Sequence, residues 1–161
     1  MIGNPSAVVL AVIGLGAGGW IGWQLAGLEP HDKAPASLDD LVACLSPHHS
    51  DGDNIRCQGG PSSRLYAIDA REMPGSCRQG RDCTPGDPYA ARDDLAGLMR
   101  GQTVERRPVD ADDREPGFQS ADFYGRPYVQ CFAGLVDLSC AMVRAGHAVE
   151  RYGKLDCGKA G

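Results

Sequence analysis

The stretch Arg64-Leu65-Tyr66-Ala67-Ile68-Asp69-Ala70-Arg71-Glu72 decides how the chain is read. Leu65 to Ile68 is apolar enough to be buried, yet the run opens on an arginine and leaves through an aspartate into a glutamate. Charged groups resist burial unless they are paired. A strand ending at the surface accounts for such charges, and so does a functional site. Alternation along a strand puts Arg64 and Asp69 on opposite faces, because their positions differ by an odd number. Both serve one site only if the strand bends or Asp69 has already left it. A turn after Ile68 is therefore expected, with Leu65 and Ala67 facing the core.

On either side lie further short elements. Residues 40–45 (DLVACL) and 54–59 (NIRCQG) read as strands separated by a turn-rich stretch containing His48 and His49. Residues 71–88 (REMPGSCRQGRDCTPGDP) read as a long loop, expected only if a disulfide orders it. Residues 87–101 (DPYAARDDLAGLMRG) carry helix signals: Asp87 as N-cap, Pro88 at the first position and Gly101 after the last turn. Ala91, Leu95, Leu98 and Met99 recur at helical spacing. Residues 102–110 and 126–134 are strand candidates, Asp137 caps a second short helix that Gly146 ends, and one more short strand follows. The order of elements predicts an α+β, mainly β, fold: a small barrel flanked by two helices.

The chain has 161 residues, room for one domain and an appendage. Its formal net charge of −5 points away from a general nucleic-acid binder, which usually carries a basic surface. An acidic protein still binds a phosphodiester where cations and a few placed arginines handle it locally. Between Ala7 and Leu28 the only strongly polar side chain is Gln24. As a helix this run reaches about 30 Å, enough for a bilayer core, with Trp20 and Trp23 toward its end. Residues 1–28 are therefore read as a hydrophobic helix serving as membrane anchor or signal peptide. Residues 29–37 follow as a linker, 38–153 as the domain and 154–161 as a tail.

Seven cysteines are many for one small domain. Cys77 and Cys83 bracket a polar, glycine-containing loop that a disulfide closes naturally, and no CxxC pair favours zinc instead. With an export segment, disulfides and an extracytoplasmic location are expected. The odd count leaves one thiol unpaired or bonded between chains.

Four motifs then stand in order: DGDN at 51–54, RLYAIDARE at 64–72, FYGR at 123–126 and DLSCAMVRAGHAV at 137–149. Together they resemble the thermonuclease (staphylococcal-nuclease-like) family, from about Val42 to Tyr152. The resemblance implies a five-stranded oligonucleotide/oligosaccharide-binding barrel. It also implies calcium-dependent hydrolysis of DNA and RNA phosphodiester bonds, leaving 3′-phosphate ends. Arg64 and Arg126 match the arginines that hold the scissile phosphate, and Glu72 matches the carboxylate that activates water. Asp53, Asp69 and the backbone carbonyl of Ala70 match the calcium ligands, and Asp51 an outer acidic position. Arg71 stands where the family commonly has proline, and Asn54 where it has threonine.

These residue types suit the chemistry. Guanidinium groups make paired, charge-assisted hydrogen bonds to phosphate oxygens. Calcium takes several oxygen ligands, and a nearby carboxylate can accept a proton from water. Tyr89 and Tyr124 are candidates for base stacking or for buried tyrosines with bonded hydroxyls. Arg144 reads more simply as an ion-pairing or surface residue, and His48 and His49 as a turn pair. A catalytically weak barrel binding nucleic acid or a protein partner is the competing reading, followed by a disulfide-stabilised structural domain.

Overall fold

The structure, a computed structural model, describes residues 41–110, 112 and 115–158. The expected N-terminal helix, the linker and the first residues of the domain lie outside them. Among the described residues no helix is long and apolar enough to cross a membrane.

Eight short strands and two helices make the α+β architecture: β1 (Val42–Ala43), β2 (Asn54–Arg56), β3 (Ser62–Leu65), β4 (Ile68–Ala70), α1 (Pro88–Met99), β5 (Val104–Pro108), β6 (Tyr128–Ala133), β7 (Val136–Asp137), α2 (Leu138–Arg144) and β8 (Ala148–Glu150). The main sheet runs β1-β5-β6-β3-β2, with β7 added to β6, and it is mixed because β3 lies parallel to β6. β4 and β8 form a separate antiparallel pair. The expected closed five-stranded barrel is thus not what the hydrogen bonding makes: a mixed sheet stands open beside a two-stranded ladder.

The reason is a break inside the 64–72 stretch. β3 ends at Leu65, Tyr66 and Ala67 turn, and β4 begins at Ile68. The bend therefore falls before Ile68 and not after it. Ala67 takes φ +61°, a left-handed conformation costing an alanine about 1–2 kcal/mol. Its surroundings hold it there. Arg151 N–H donates to the Ala67 carbonyl at 2.7 Å, and a Cβ on Gly153 would lie 3.0 Å from the Ala67 Cβ. Leu65, Ala67 and Ile68 are all buried, as the apolar run required. The turn hands the chain from one sheet to the other and brings Asp69 to the side of Arg64.

α1 forms as its sequence predicts. The Asp87 carboxylate accepts from the N–H groups of Tyr89 and Ala90, Pro88 occupies the first turn, and Ala91, Leu95 and Met99 are its buried residues. α2 is capped by the Asp137 side chain, which accepts from Cys140 N–H. Both helices close over a core of Ile55, Leu65, Ile68, Leu95, Leu138 and Met142.

Three disulfides are present. Cys77–Cys83 closes the loop as expected, Cys44–Cys57 joins the neighbourhoods of β1 and β2, and Cys140–Cys157 ties the tail to α2. Cys131 keeps a free thiol inside the core, where burial pushes its pKa up to about 12. Three bridges fit an oxidising environment.

Candidate active site

Arg64 sits on β3, an inner strand of the main sheet, opposite Asn54 on β2 and Tyr128 on β6. Such a position buries the side chain, and only paired acids make that tolerable. Its Nη2 donates to Asp53 Oδ2 at 3.0 Å and to Asp69 Oδ1 at 2.5 Å, and its guanidinium lies 5.3 Å from the centre of the Tyr152 ring. Among the described residues its buried Nε–H has no hydrogen-bond partner. Burial opposes the Arg64 charge, but the carboxylates of Asp53 and Asp69 outweigh it and hold the proton more firmly than in a free arginine.

Asp53 is delivered by the DGD segment, and Gly52 shows why glycine is needed there. A Cβ at Gly52 would stand 2.8 Å from Ala91 Cβ on α1 and 2.9 Å from Ala70 Cβ on β4. Gly52 serves close packing, a role that a turn reading misses. The resulting approach lets Asp53 Oδ2 accept from Ala70 N–H at 3.0 Å. Because Arg151 donates to Ala67, the odd-numbered residues exchange ladder bonds with β8, and Ala70 turns its N–H and carbonyl away from that strand. Asp51 accepts from Asp53 N–H at 3.3 Å. Burial pushes the Asp53 carboxyl up to about 7 against the pull of Arg64.

Asp69 draws partners from separate parts of the chain. It accepts from Arg64 and from Arg81 (2.7 Å) on Oδ1, and from Thr84 Oγ1 (2.6 Å) and Arg151 (3.0 Å) on Oδ2. Burial opposes its ionisation, but the Thr84 hydroxyl and the Arg64 and Arg81 charges hold it below the usual carboxylate range.

Glu72 follows β4 in irregular chain and keeps 21 % of its side chain exposed. Its Oε1 accepts from Arg81 Nη1 at 3.2 Å. Arg126, after the FYG turn, is gripped by Asp122 through its backbone N–H, Nε and Nη2 at 2.7–2.9 Å. Burial opposes the Asp122 charge, yet those bonds from Arg126 keep its carboxyl below the usual range.

Arg64, Glu72 and Arg126 line one recess of about 250 Å³, with Ser76 and Arg81. An adjoining cleft of about 620 Å³ runs past Arg64, Arg78, Arg81 and Arg126 toward Phe123 and Tyr152. Arg78 donates to the Tyr124 hydroxyl at 2.5 Å, and both Arg78 and Arg126 lie over the Tyr124 ring. An acidic protein thus gathers four guanidinium groups at one opening.

All the residues assigned by the motifs are therefore brought to one region. The expected calcium ligands are occupied by the protein's own donors: Arg64 bridges Asp53 and Asp69, and Arg81, Thr84 and Arg151 take the remaining capacity of Asp69. Calcium needs several oxygens free to turn toward it. Among the described residues no group of three or more His, Cys, Asp or Glu side chains is placed to hold a metal. The side chains as arranged do not fit the ion.

Arg81, Thr84 and Arg151 were not singled out by the motifs. The only sequence signal for Arg81 is its place between two cysteines, and Arg151 has none beyond following a strand. Arg71, in place of the family's proline, donates to the Thr84 carbonyl at 3.3 Å and helps hold the loop. Tyr89 is half-exposed beside Arg92 on α1, away from the cleft lining. Arg144 donates to the carbonyl of Cys157, a structural role. Burial lowers the His49 pKa, and His48 pairs with Arg56 through the backbone. No protein-family model matches the chain, and no curated protein matches it.

Proposed function

We propose that this domain hydrolyses phosphodiester bonds of DNA and RNA, leaving 3′-phosphate ends, in an extracytoplasmic compartment to which residues 1–28 direct or tether it. The observation that carries the reading is the shared recess: Arg64, Arg126 and Glu72, far apart in sequence, line one opening. Three disulfides and the apolar N-terminal run support the compartment.

A phosphodiester is anionic and repels an anionic nucleophile. Arg64 from the sheet and Arg126 from the opposite loop offset that charge and hold the phosphate between them. Arg126 is kept in place by Asp122, and Arg64 by Asp53 and Asp69. Glu72 accepts the proton of the attacking water, the task of a general base. Calcium is the ion implied by the motif resemblance. No step is derived through it, because Asp53 and Asp69 are engaged by guanidinium groups, and its requirement is a measured arm of the test.

The full oxidised chain is expected to cleave single-stranded DNA, and parallel incubations in calcium and in chelator read whether the ion is required. Glu72→Gln is expected to lower the rate by about a hundredfold or more, and Arg126→Ala by a similar factor. Undiminished cleavage by Glu72→Gln overturns the mechanism. The Arg81–Glu72 contact favours a second reading, a binding module whose acid is already occupied. Binding of the DNA without turnover supports that module.

A further inference from the structure

Glu72 stands beyond the last residue of β4, where no ladder bond fixes the chain. A general base needs a defined position, since a misplacement of about 1 Å costs about a hundredfold in rate. Among the described residues the hydrogen-bond partner of its carboxylate is Arg81. Arg81 is itself held at three points: Asp69 Oδ1 at 2.7 Å, Glu72 Oε1 at 3.2 Å and the Tyr152 hydroxyl at 2.9 Å. Asp69 is 1 % exposed and bonded to three further groups, so it is a fixed post. The short loop that carries Arg81 is closed at its base by Cys77–Cys83, six residues apart.

We propose that Arg81 is the positioning residue for Glu72, delivered by the disulfide-closed loop. The proposal rests on the reading of Glu72 as the base. The loop sets the guanidinium against Asp69, and the guanidinium fixes Oε1 of Glu72 while leaving Oε2 for the proton. Two features favour positioning over phosphate binding. Both Nη atoms of Arg81 are committed to acids or to Tyr152, and Arg64 and Arg126 already provide the two-sided clamp. Lysine, with one ammonium in place of a fork, can hold Asp69 or Glu72 but not both in the same geometry.

The test uses the full oxidised chain and three variants: Arg81→Ala, Arg81→Lys, and Cys77→Ser with Cys83→Ser. Steady-state cleavage of single-stranded DNA is measured alongside amide hydrogen exchange. Arg81→Ala and the double cysteine variant are each expected to lower kcat by about tenfold to a hundredfold, with KM changed by less than about twofold. Arg81→Lys is expected to fall between them and wild type. Exchange at Ser76, whose N–H donates to the Met73 carbonyl, is expected to quicken in Arg81→Ala and the double variant, while β5 and β6 keep their protection. A raised KM at unchanged kcat makes Arg81 a substrate contact and overturns the proposal. Higher activity in Arg81→Ala makes it a blocking latch and overturns it too, as does unchanged exchange at Ser76. Wild type that fails to cleave defeats the assignment of Glu72 as base, while the exchange measurement still decides whether Arg81 holds its segment.

Discussion

Asp69 lies on β4 and Glu72 two residues beyond its end, yet their surroundings differ in kind. Asp69 is 1 % exposed and receives bonds from Arg64, Arg81, Thr84 and Arg151. Glu72 keeps 21 % of its side chain open and receives one from Arg81. The first belongs to the architecture: two sheets, a loop and the C-terminal segment converge on it. The second hangs from that architecture by a single guanidinium. The contrast teaches how a small domain divides labour between its acids. One carboxylate is buried to hold cationic side chains together, and its neighbour is left reachable.

Separate measurements can break or sharpen this division. Asp69→Ala removes the shared partner of three guanidinium groups. Unpairing a buried charge typically costs about 3–5 kcal/mol, and urea unfolding should register that loss. Glu72→Gln should stay within about 0.5 kcal/mol of wild type in the same assay. Equal losses at the two positions would erase the distinction.

Next in size is Cys140→Ser with Cys157→Ser, which frees the tail that starts just past Tyr152. A loop of this length is worth about 3 kcal/mol of unfolded-state entropy. The melting temperature should fall without any change in the Cys77–Cys83 bridge, checked by peptide mapping. Gly52→Ala is expected to cost about 1–3 kcal/mol by overpacking, because its new Cβ would meet Ala91 and Ala70 at under 3 Å. A neutral result would show that the DGD segment can retreat without releasing Asp53.

A separate effect is a slope against pH. Asp53 is raised from 3.8 to about 7, so the folded state holds a proton that the unfolded state releases. Its contribution is fully present below about 3.8 and is lost as pH rises through about 7. Asp69 and Asp122 are lowered from 3.8, so their contribution is present above that value and lost as pH falls below it. Stability should therefore peak on the acid side of neutrality. Asp53→Asn should flatten the decline toward neutral pH, as read by chemical denaturation across the range.

Much of this division was legible in the residues. For Arg64 and Asp69 to serve one site, their odd spacing requires a break in the strand, and the break exists at Tyr66–Ala67. The caps of α1 and α2 and the Cys77–Cys83 bridge also follow from local chemistry, which short stretches carry in full. What stayed hidden depends on distant register. The β4–β8 pairing sets Asp69 against Val149, and only that pairing brings Arg151 to Asp69. The exact turn position escaped because alanine gives no signal for a positive φ. The closed barrel failed for the same reason, since the turn moves the chain to a second ladder.

The free thiol of Cys131 carries a consequence for how the molecule is made. With its pKa pushed up to about 12 and no exposure to solvent, it is inert once β6 is in place. Before that, it is one of seven equivalent thiols on an unfolded chain, as able as any other to attack a neighbour's disulfide. Correct pairing of the remaining six therefore favours a sequence of events in which β6 collapses early and withdraws Cys131 from exchange. Maturation in an oxidising space becomes a race between packing one strand and sealing the wrong bridge.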